Sequence, residues 1–365
     1  MRALIATGVN QPLSLESIKF PPMGDRDVRV EIEASGVCHT DLSILQGFAE
    51  DSYFPTVLGH EGVGIVREVG KSVTRCKVGD RIIASFVPTC GVCWHCIRHE
   101  SQHCEEFIPV VSSNFVSRPT DATPVLAMSG LGTFSECMQI SEMSVVPVET
   151  SLPAEQLALI GCGVTTGVGA ALWTAEVKPG STVAVFGCGG VGQSVVQGAK
   201  LAGASRIFAV DPVALKRTKA LALGATDAID PSEHDPVEQL IAATGGRGVD
   251  YAIEVTGIPS VVEQAFHSVR RRGTAVAVGM PRQNATVSIP VTPLFVMEKR
   301  LIGSFYGSAQ VREHMPMLVK FAETGRLDLA SIVSKKIGLH EVNDAFEAMQ
   351  KGEVIRSVIV PSLTK

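Results

Sequence analysis

Four apolar runs recur through the middle of the chain: Val183-Ala184-Val185-Phe186, Ile207-Phe208-Ala209-Val210, Tyr251-Ala252-Ile253-Glu254-Val255 and Ala275-Val276-Ala277-Val278. Each is separated from the next by a segment that a helix can fill. Strand, helix, strand in repetition demands a parallel sheet, because a parallel partner is reached only by a crossover, and the crossover helices cover both faces. Uninterrupted apolar runs fit such doubly buried strands, so this part of the chain is expected to form a doubly wound α/β domain.

The first 160 residues have a different rhythm. Val28-Arg29-Val30-Glu31-Ile32 and Gly64-Ile65-Val66-Arg67-Glu68-Val69 alternate apolar with polar, and Gly, Pro and Asp break up the runs between them. This reads as half-buried strands and turns. After Gly303 the pattern is mixed, with a helix expected over 314–323 and a last strand at Ser357-Val358-Ile359-Val360. A length of 365 residues suits about two domains. We therefore expect a β-rich domain from 1–163 and 306–365, and a dinucleotide-type domain over 164–305.

Hydrophobic residues make up 45% of the chain and charged ones 19%, a globular balance, and the net charge is only -5 with no block of like charge. Nothing here steers toward nucleic acid or an anionic membrane. The start, Met1-Arg2-Ala3-Leu4-Ile5-Ala6-Thr7, lacks the features of a secretory signal, and the expected location is cytoplasmic. The uncharged stretch from Gln156 to Ala175 carries four glycines and three threonines, which suit a tight turn and close helix packing better than a lipid-facing span.

Gly187-Cys188-Gly189-Gly190-Val191-Gly192 follows the first apolar run and precedes a helical stretch, Gln193 to Leu201. Spaced glycines of this kind give a tight turn, let backbone approach a pyrophosphate, and allow close helix–strand packing, with the helix N-terminus offering N–H groups to phosphate. Asp211 ends the next run, near the spacing of an acid that bonds ribose hydroxyls. An acid there repels a 2′-phosphate and favours NAD over NADP. Lys216 could reach the same ribose or be a solvated helix charge.

Nine cysteines without a secretory context point to metal ligands, reactive thiols or core residues. Cys90, Cys93, Cys96 and Cys104 lie within fifteen residues, and thiolates at that spacing can close all four positions of a tetrahedral zinc, a structural site. His95, His99 and His103 share the loop and read as bystanders. Glu100, Glu105 and Glu106 leave no basic patch for nucleic acid. A catalytic zinc takes three protein ligands and keeps one place open, and Cys2His is one such set. Three scattered segments hold candidates: Gly36-Val37-Cys38-His39-Thr40-Asp41, Gly59-His60-Glu61-Gly62 and Gly161-Cys162-Gly163.

Taken together, these segments, their order and the four-cysteine lobe resemble the zinc-containing medium-chain alcohol dehydrogenase family over essentially the whole chain. The resemblance implies a GroES-like catalytic domain beside the Rossmann domain, with the active site in the cleft between them, and an assembly of two or four copies. It implies that Cys38, His60 and Cys162 bind the catalytic zinc, with Glu61 a nearby or alternate ligand. Thr40 is implied as the first proton-relay group and Asp41 as the carboxylate behind His60. Thr166 would lie near the nicotinamide, His39 and Arg356 on the pyrophosphate, and Val278 would contact the carboxamide by backbone. Phe86 would wall the substrate pocket. The segment Val287 to Phe305 is a candidate subunit contact.

The implied activity is reversible, NAD-linked oxidation of a primary alcohol to an aldehyde by hydride transfer from a zinc-bound alkoxide. Phe48, Phe54, Phe86 and Leu126 near the motifs favour medium-chain or aromatic alcohols. The alternative is a formaldehyde dehydrogenase acting on a thiol adduct. Two positions depart from the family. Ser43 stands where many members end the relay in histidine. Ile108 stands where the glutathione-dependent formaldehyde dehydrogenases carry an arginine for the substrate carboxylate, so the adduct of the alternative would be one of another thiol.

Overall fold

The computed structural model describes residues 1–48 and 53–364. It divides into two compact units, Met1–Cys162 with Gln310–Lys365, and Gly163–Ala309.

In the first unit the strand Asp27–Gly36 alternates as its sequence requires. Val28, Val30, Ile32 and Ala34 are buried, while Arg29, Glu31 and Glu33 face outward and pair with Glu68, Arg67 and Arg81 on neighbouring strands. It is the centre of the larger sheet. Gly62–Val69 and Cys137–Ser141 both pair with it antiparallel, and Arg81–Ala84 and Val145–Pro147 extend the Gly62–Val69 side. The C-terminal strand Arg356–Ile359 joins through Ser35 and Gly36 and pairs in parallel with Val333–Ile337, so the tail of the chain completes a sheet begun near its start. A second sheet runs in the order Ser14–Ser17, Arg2–Ala6, Thr56–Val57, Pro124–Ala127, Phe115–Ser117. Leu126, expected near the pocket, lies in this sheet opposite Thr56 and Phe115.

The second unit carries a parallel sheet whose order is Asp227–Ile229, Arg206–Val210, Thr182–Phe186, Val249–Glu254, Val269–Ala277, Arg300–Gly303. All four runs seen in the sequence are strands within it. The chain winds outward from Thr182–Phe186 in one direction, then returns to wind outward in the other. The crevice beyond the C-terminal end of that first strand is the topological switch point, where ligands bind in open α/β sheets.

Residues Ala154–Thr174 form one helical run, most of it buried, so of the tight turn and the close helix packing expected here only the packing is found. The glycines admit close backbone approach: a Cβ on Gly167 would lie 2.3 Å from the Val191 carbonyl oxygen. Length and apolar composition alone would let this helix cross a membrane, but the core helix of a globular protein passes the same test.

Candidate active site

Cys38 caps the short helix His39–Ser43, and the capping is done by Asp41, whose Oδ2 accepts the Cys38 N–H at 2.9 Å. The other oxygen, Oδ1, accepts the Gly59 N–H at 3.0 Å and faces His60 Nδ1 at 3.2 Å. One buried carboxylate thus joins two sequence segments and fixes the imidazole. Since a carboxylate only accepts, Nδ1 carries the proton and Nε2 is left as a donor to a metal. Cys162 arrives from the long helical run. Ligand atoms of Cys38, His60, Glu61 and Cys162 all lie within 4.8 Å of one another, and all four residues are buried.

The four groups shift one another's ionisation strongly. The hydrogen bond from Cys162 holds the Cys38 thiol well below its ordinary range, with help from His60, while that same bond and burial push Cys162 up. Burial works against charging His60, but Asp41 and Cys38 overrule it and the imidazole is pushed up. Burial also pushes Glu61 up to about 7 despite the Arg356 guanidinium beside it. Glu61 Oε2 meets Arg356 Nη2, and Oε1 is buried with no hydrogen-bond partner among the described residues. Two thiols, one imidazole nitrogen and an orphaned carboxylate oxygen on one small volume match the borderline-soft donor set of zinc.

Arg356 was expected on the pyrophosphate. Here its guanidinium is buried against Glu61, an ion pair invisible in sequence because its members lie in segments far apart along the chain. His39 is exposed and Thr40 half-buried on the same short helix, and Ser43 is buried at its end. Phe86 stands edge-on to His60, with ring centroids 5.6 Å apart at 90°. Phe54 packs with Tyr53 against the core.

The four lobe cysteines also converge, with ligand atoms within 4.8 Å of one another. Backbone N–H groups of Cys90, Val92 and Cys93 point at sulfurs of the set, at 3.3 to 3.4 Å. The Glu105 N–H is the chief cause that lowers Cys93 to about 6. Donors of this kind stabilise thiolate, the form that binds metal. His95 is taken by Glu100 at 2.9 Å. Two arginines grip the lobe's entry by backbone carbonyls: Arg75 on Cys90 at 3.1 Å, and Arg312 on Thr89.

In the second unit the glycine loop leaves the strand Thr182–Phe186 and enters the helix Gly190–Leu201, which begins three residues earlier than expected. The early start is possible because Gly192 has no side chain: a Cβ there would fall 1.9 Å from the Gly187 carbonyl oxygen. At Gly189 a Cβ would meet nothing within 4 Å, so the backbone faces open space at the helix N-terminus, a cradle that fits phosphate. Asp211 is buried and accepts the Cys188 N–H at 2.7 Å and the Val213 N–H at 2.8 Å. Each oxygen retains acceptor capacity for a ribose hydroxyl. Val191, Lys216, Thr166 and Val278 are half-buried in this unit.

Comparison with known proteins follows the same division. Residues 24–150 match the alcohol dehydrogenase GroES-like domain, and residues 190–324 match the zinc-binding dehydrogenase domain. The chain is 38% identical to an S-(hydroxymethyl)glutathione dehydrogenase of Photobacterium damsela subsp. piscicida, over 98% of this chain and 99% of that one. Its fold matches benzyl alcohol dehydrogenase from Acinetobacter calcoaceticus with a TM-score of 0.90 and 31% identity, covering 98% of each chain. A zinc-binding dehydrogenase from Sinorhizobium meliloti bound to NADP matches with a TM-score of 0.81 and 28% identity, over 99% of each.

Proposed function

Because this chain belongs to the zinc-containing medium-chain dehydrogenase family, an oxidoreductase family using zinc and a nicotinamide cofactor, we propose that it oxidises the hydroxymethyl adduct of formaldehyde with a small thiol, using NAD. The observation that carries this reading is the near full-length similarity to an S-(hydroxymethyl)glutathione dehydrogenase. It reverses the order of the sequence expectation, which placed simple primary alcohols first. Ile108 is exposed and uncharged, so nothing at that position would bind a glutathione carboxylate, and the thiol partner is a different one. Oxidation of an aromatic or medium-chain primary alcohol is the second reading, favoured by the similarity to benzyl alcohol dehydrogenase.

Cys38, His60 and Cys162 would hold the catalytic zinc and Glu61 would serve as its alternate ligand, while Cys90, Cys93, Cys96 and Cys104 would hold the structural one. When bound, the catalytic zinc supplies Lewis acidity that lowers the pKa of a substrate hydroxyl. Thr40 Oγ1 takes up the proton released and passes it to water, since Ser43 offers no imidazole to carry it on. Asp41 keeps His60 in one tautomer. The N–H groups at Gly189, Gly190 and Val191 would bind the pyrophosphate, to which His39 is also proposed to contribute, and Asp211 with Lys216 would take the adenosine ribose. Thr166 and the Val278 backbone would hold the nicotinamide, which supplies the hydride acceptor when bound. Asp211 excludes a 2′-phosphate by charge, which sets NAD above NADP. We also infer that two copies associate through the segment 287–305.

The test is NADH formation at 340 nm by zinc-loaded protein, with NAD or NADP, on formaldehyde plus a panel of thiols that includes glutathione. Simple alcohols from ethanol to benzyl alcohol run alongside. Turnover of formaldehyde that depends on an added thiol other than glutathione is expected. Turnover of benzyl alcohol or hexanol with none for any adduct would replace this reading by the second.

A further inference from the structure

Glu254 ends the strand Val249–Glu254 with its side chain wholly buried, though nothing in the sequence sets it apart from an acid marking the end of a strand. Its Oε1 collects three donors from one turn: the Thr256 N–H, the Thr256 hydroxyl, and the Gly257 N–H at 2.8 Å. Its other oxygen is buried and has no hydrogen-bond partner among the described residues, although the Gly279 N–H is near enough to pull the carboxyl down. Burial pushes the carboxyl above its ordinary range, against the pull of those donors. A half-satisfied buried carboxylate is unfavourable, so a residue kept in this state has to be stabilised by what it organises.

What it organises lies on the cofactor side of the sheet. The turn is pressed against the loop that follows the strand Val269–Ala277. A Cβ on Gly257 would lie 2.3 Å from the Met280 carbonyl oxygen, and one on Gly279 would lie 2.0 Å from the Gly257 nitrogen. The backbone of Glu254 holds the same loop directly, its carbonyl accepting the Val278 N–H at 2.8 Å and the Gly279 N–H at 3.3 Å. Two loops thus pack backbone to backbone, and the Glu254 side chain fixes the outer one.

We propose that Glu254 is a positioning residue for the nicotinamide half of the cofactor, holding the Thr256–Gly257 turn so that it backs the Val278–Met280 loop. This rests on the nicotinamide-cofactor reading above and on Val278 as the carboxamide contact. The adenosine half has its own anchors. Asp211 accepts the Cys188 N–H, and Gln193 Nε2 donates to the Cys188 carbonyl at 2.7 Å, so the glycine loop has anchors of its own besides its packing on the turn, where a Cβ on Gly187 would lie 2.7 Å from Thr256 Cγ2.

The two halves can therefore be separated by ligand. Binding of NADH is read from its fluorescence, and binding of ADP-ribose, which lacks the nicotinamide, from calorimetry. E254A is expected to weaken NADH roughly tenfold or more through loss of positioning, while ADP-ribose stays within about twofold. E254Q keeps an acceptor at Oε1 and should recover most of the loss. Equal weakening of both ligands, or unchanged NADH affinity in folded E254A, would overturn the proposal. Should E254A not fold, T256V removes one donor of the clamp and is held to the same ratio, where an unchanged ratio also overturns it. Wild-type protein that binds neither ligand would instead sink the cofactor reading itself, before any variant is made.

Discussion

Asp41 commits both oxygens to backbone and imidazole beside the Cys38, His60 and Cys162 cluster, accepting from Cys38, Gly59 and His60. Replacing it by Asn leaves the shape but removes the charge that keeps Nδ1 protonated, so the imidazole loses its fixed tautomer. D41N is expected to bind zinc 10 to 100 times more weakly at this site, roughly the loss usual for a partner behind a ligating histidine. The four-cysteine lobe is untouched and serves as an internal control. Zinc content against a graded chelator should show one ion per chain leaving early and the other leaving as in wild type. Simultaneous release of both, or no change, would contradict this role for Asp41. Residues inside one short window were legible in sequence: the lobe cysteines by spacing, the glycines by their place between a strand and a helix. Cys38, His60 and Cys162 could be paired only through resemblance, because tertiary structure alone joins their segments. Glu61 with Arg356 and the turn around Glu254 had no sequence signal, since a buried carboxylate and a surface one are the same letter.

At the scale of elements, the short turn Glu142–Ser144 shows how one side chain can organise several segments. Its buried Glu142 carboxylate accepts from Arg26 at 2.6 Å, the Thr74 N–H at 2.8 Å and the Arg75 N–H at 3.2 Å, and Arg75 in turn reaches the Cys90 carbonyl of the zinc lobe. Burial raises this carboxyl, but the two N–H groups and Arg26 outweigh it and hold the group below its ordinary 4.5. A depressed native value means that the ionised form favours the fold. That contribution is complete above the unfolded value near 4.5 and disappears as pH falls through the lower native one. E142Q should therefore cost about 1–3 kcal/mol at pH 7. Melting curves of the two proteins should converge below pH 4.5, and a constant gap down to pH 3 would remove the charge from the explanation. Strands were the readable elements, since burial on one face or two writes itself directly as alternation or as a run. The helical run Ala154–Thr174 was less so: its glycines look like breakers until the backbones they admit, such as Val191 against Gly167, are seen.

For the whole molecule the question is what covers the rim of the parallel sheet. Arg300–Gly303 is its last strand and, among the described residues, pairs on one side only. Beside it the short helix Val291–Val296 has no buried residue, with Val291 74%, Phe295 81% and Val296 65% exposed. Met280, Val287 and Phe305 are exposed as well. Even a short unpaired edge is an aggregation hazard in a monomer when exposed aromatic and aliphatic side chains accompany it, unless a partner covers it. A second copy satisfies both needs at once, because two identical edges related by a twofold axis pair antiparallel and bring their apolar helices together. Light scattering should give wild-type protein a mass at least twice the 38.6 kDa of one chain. Placing a charge in each copy's apolar face by V291D with F295D should yield a folded monomer, because a desolvated carboxylate in such a contact costs several kcal/mol. A monomeric wild type would mean that the edge is covered by something else. A variant that keeps its assembly would place the contact elsewhere on the surface.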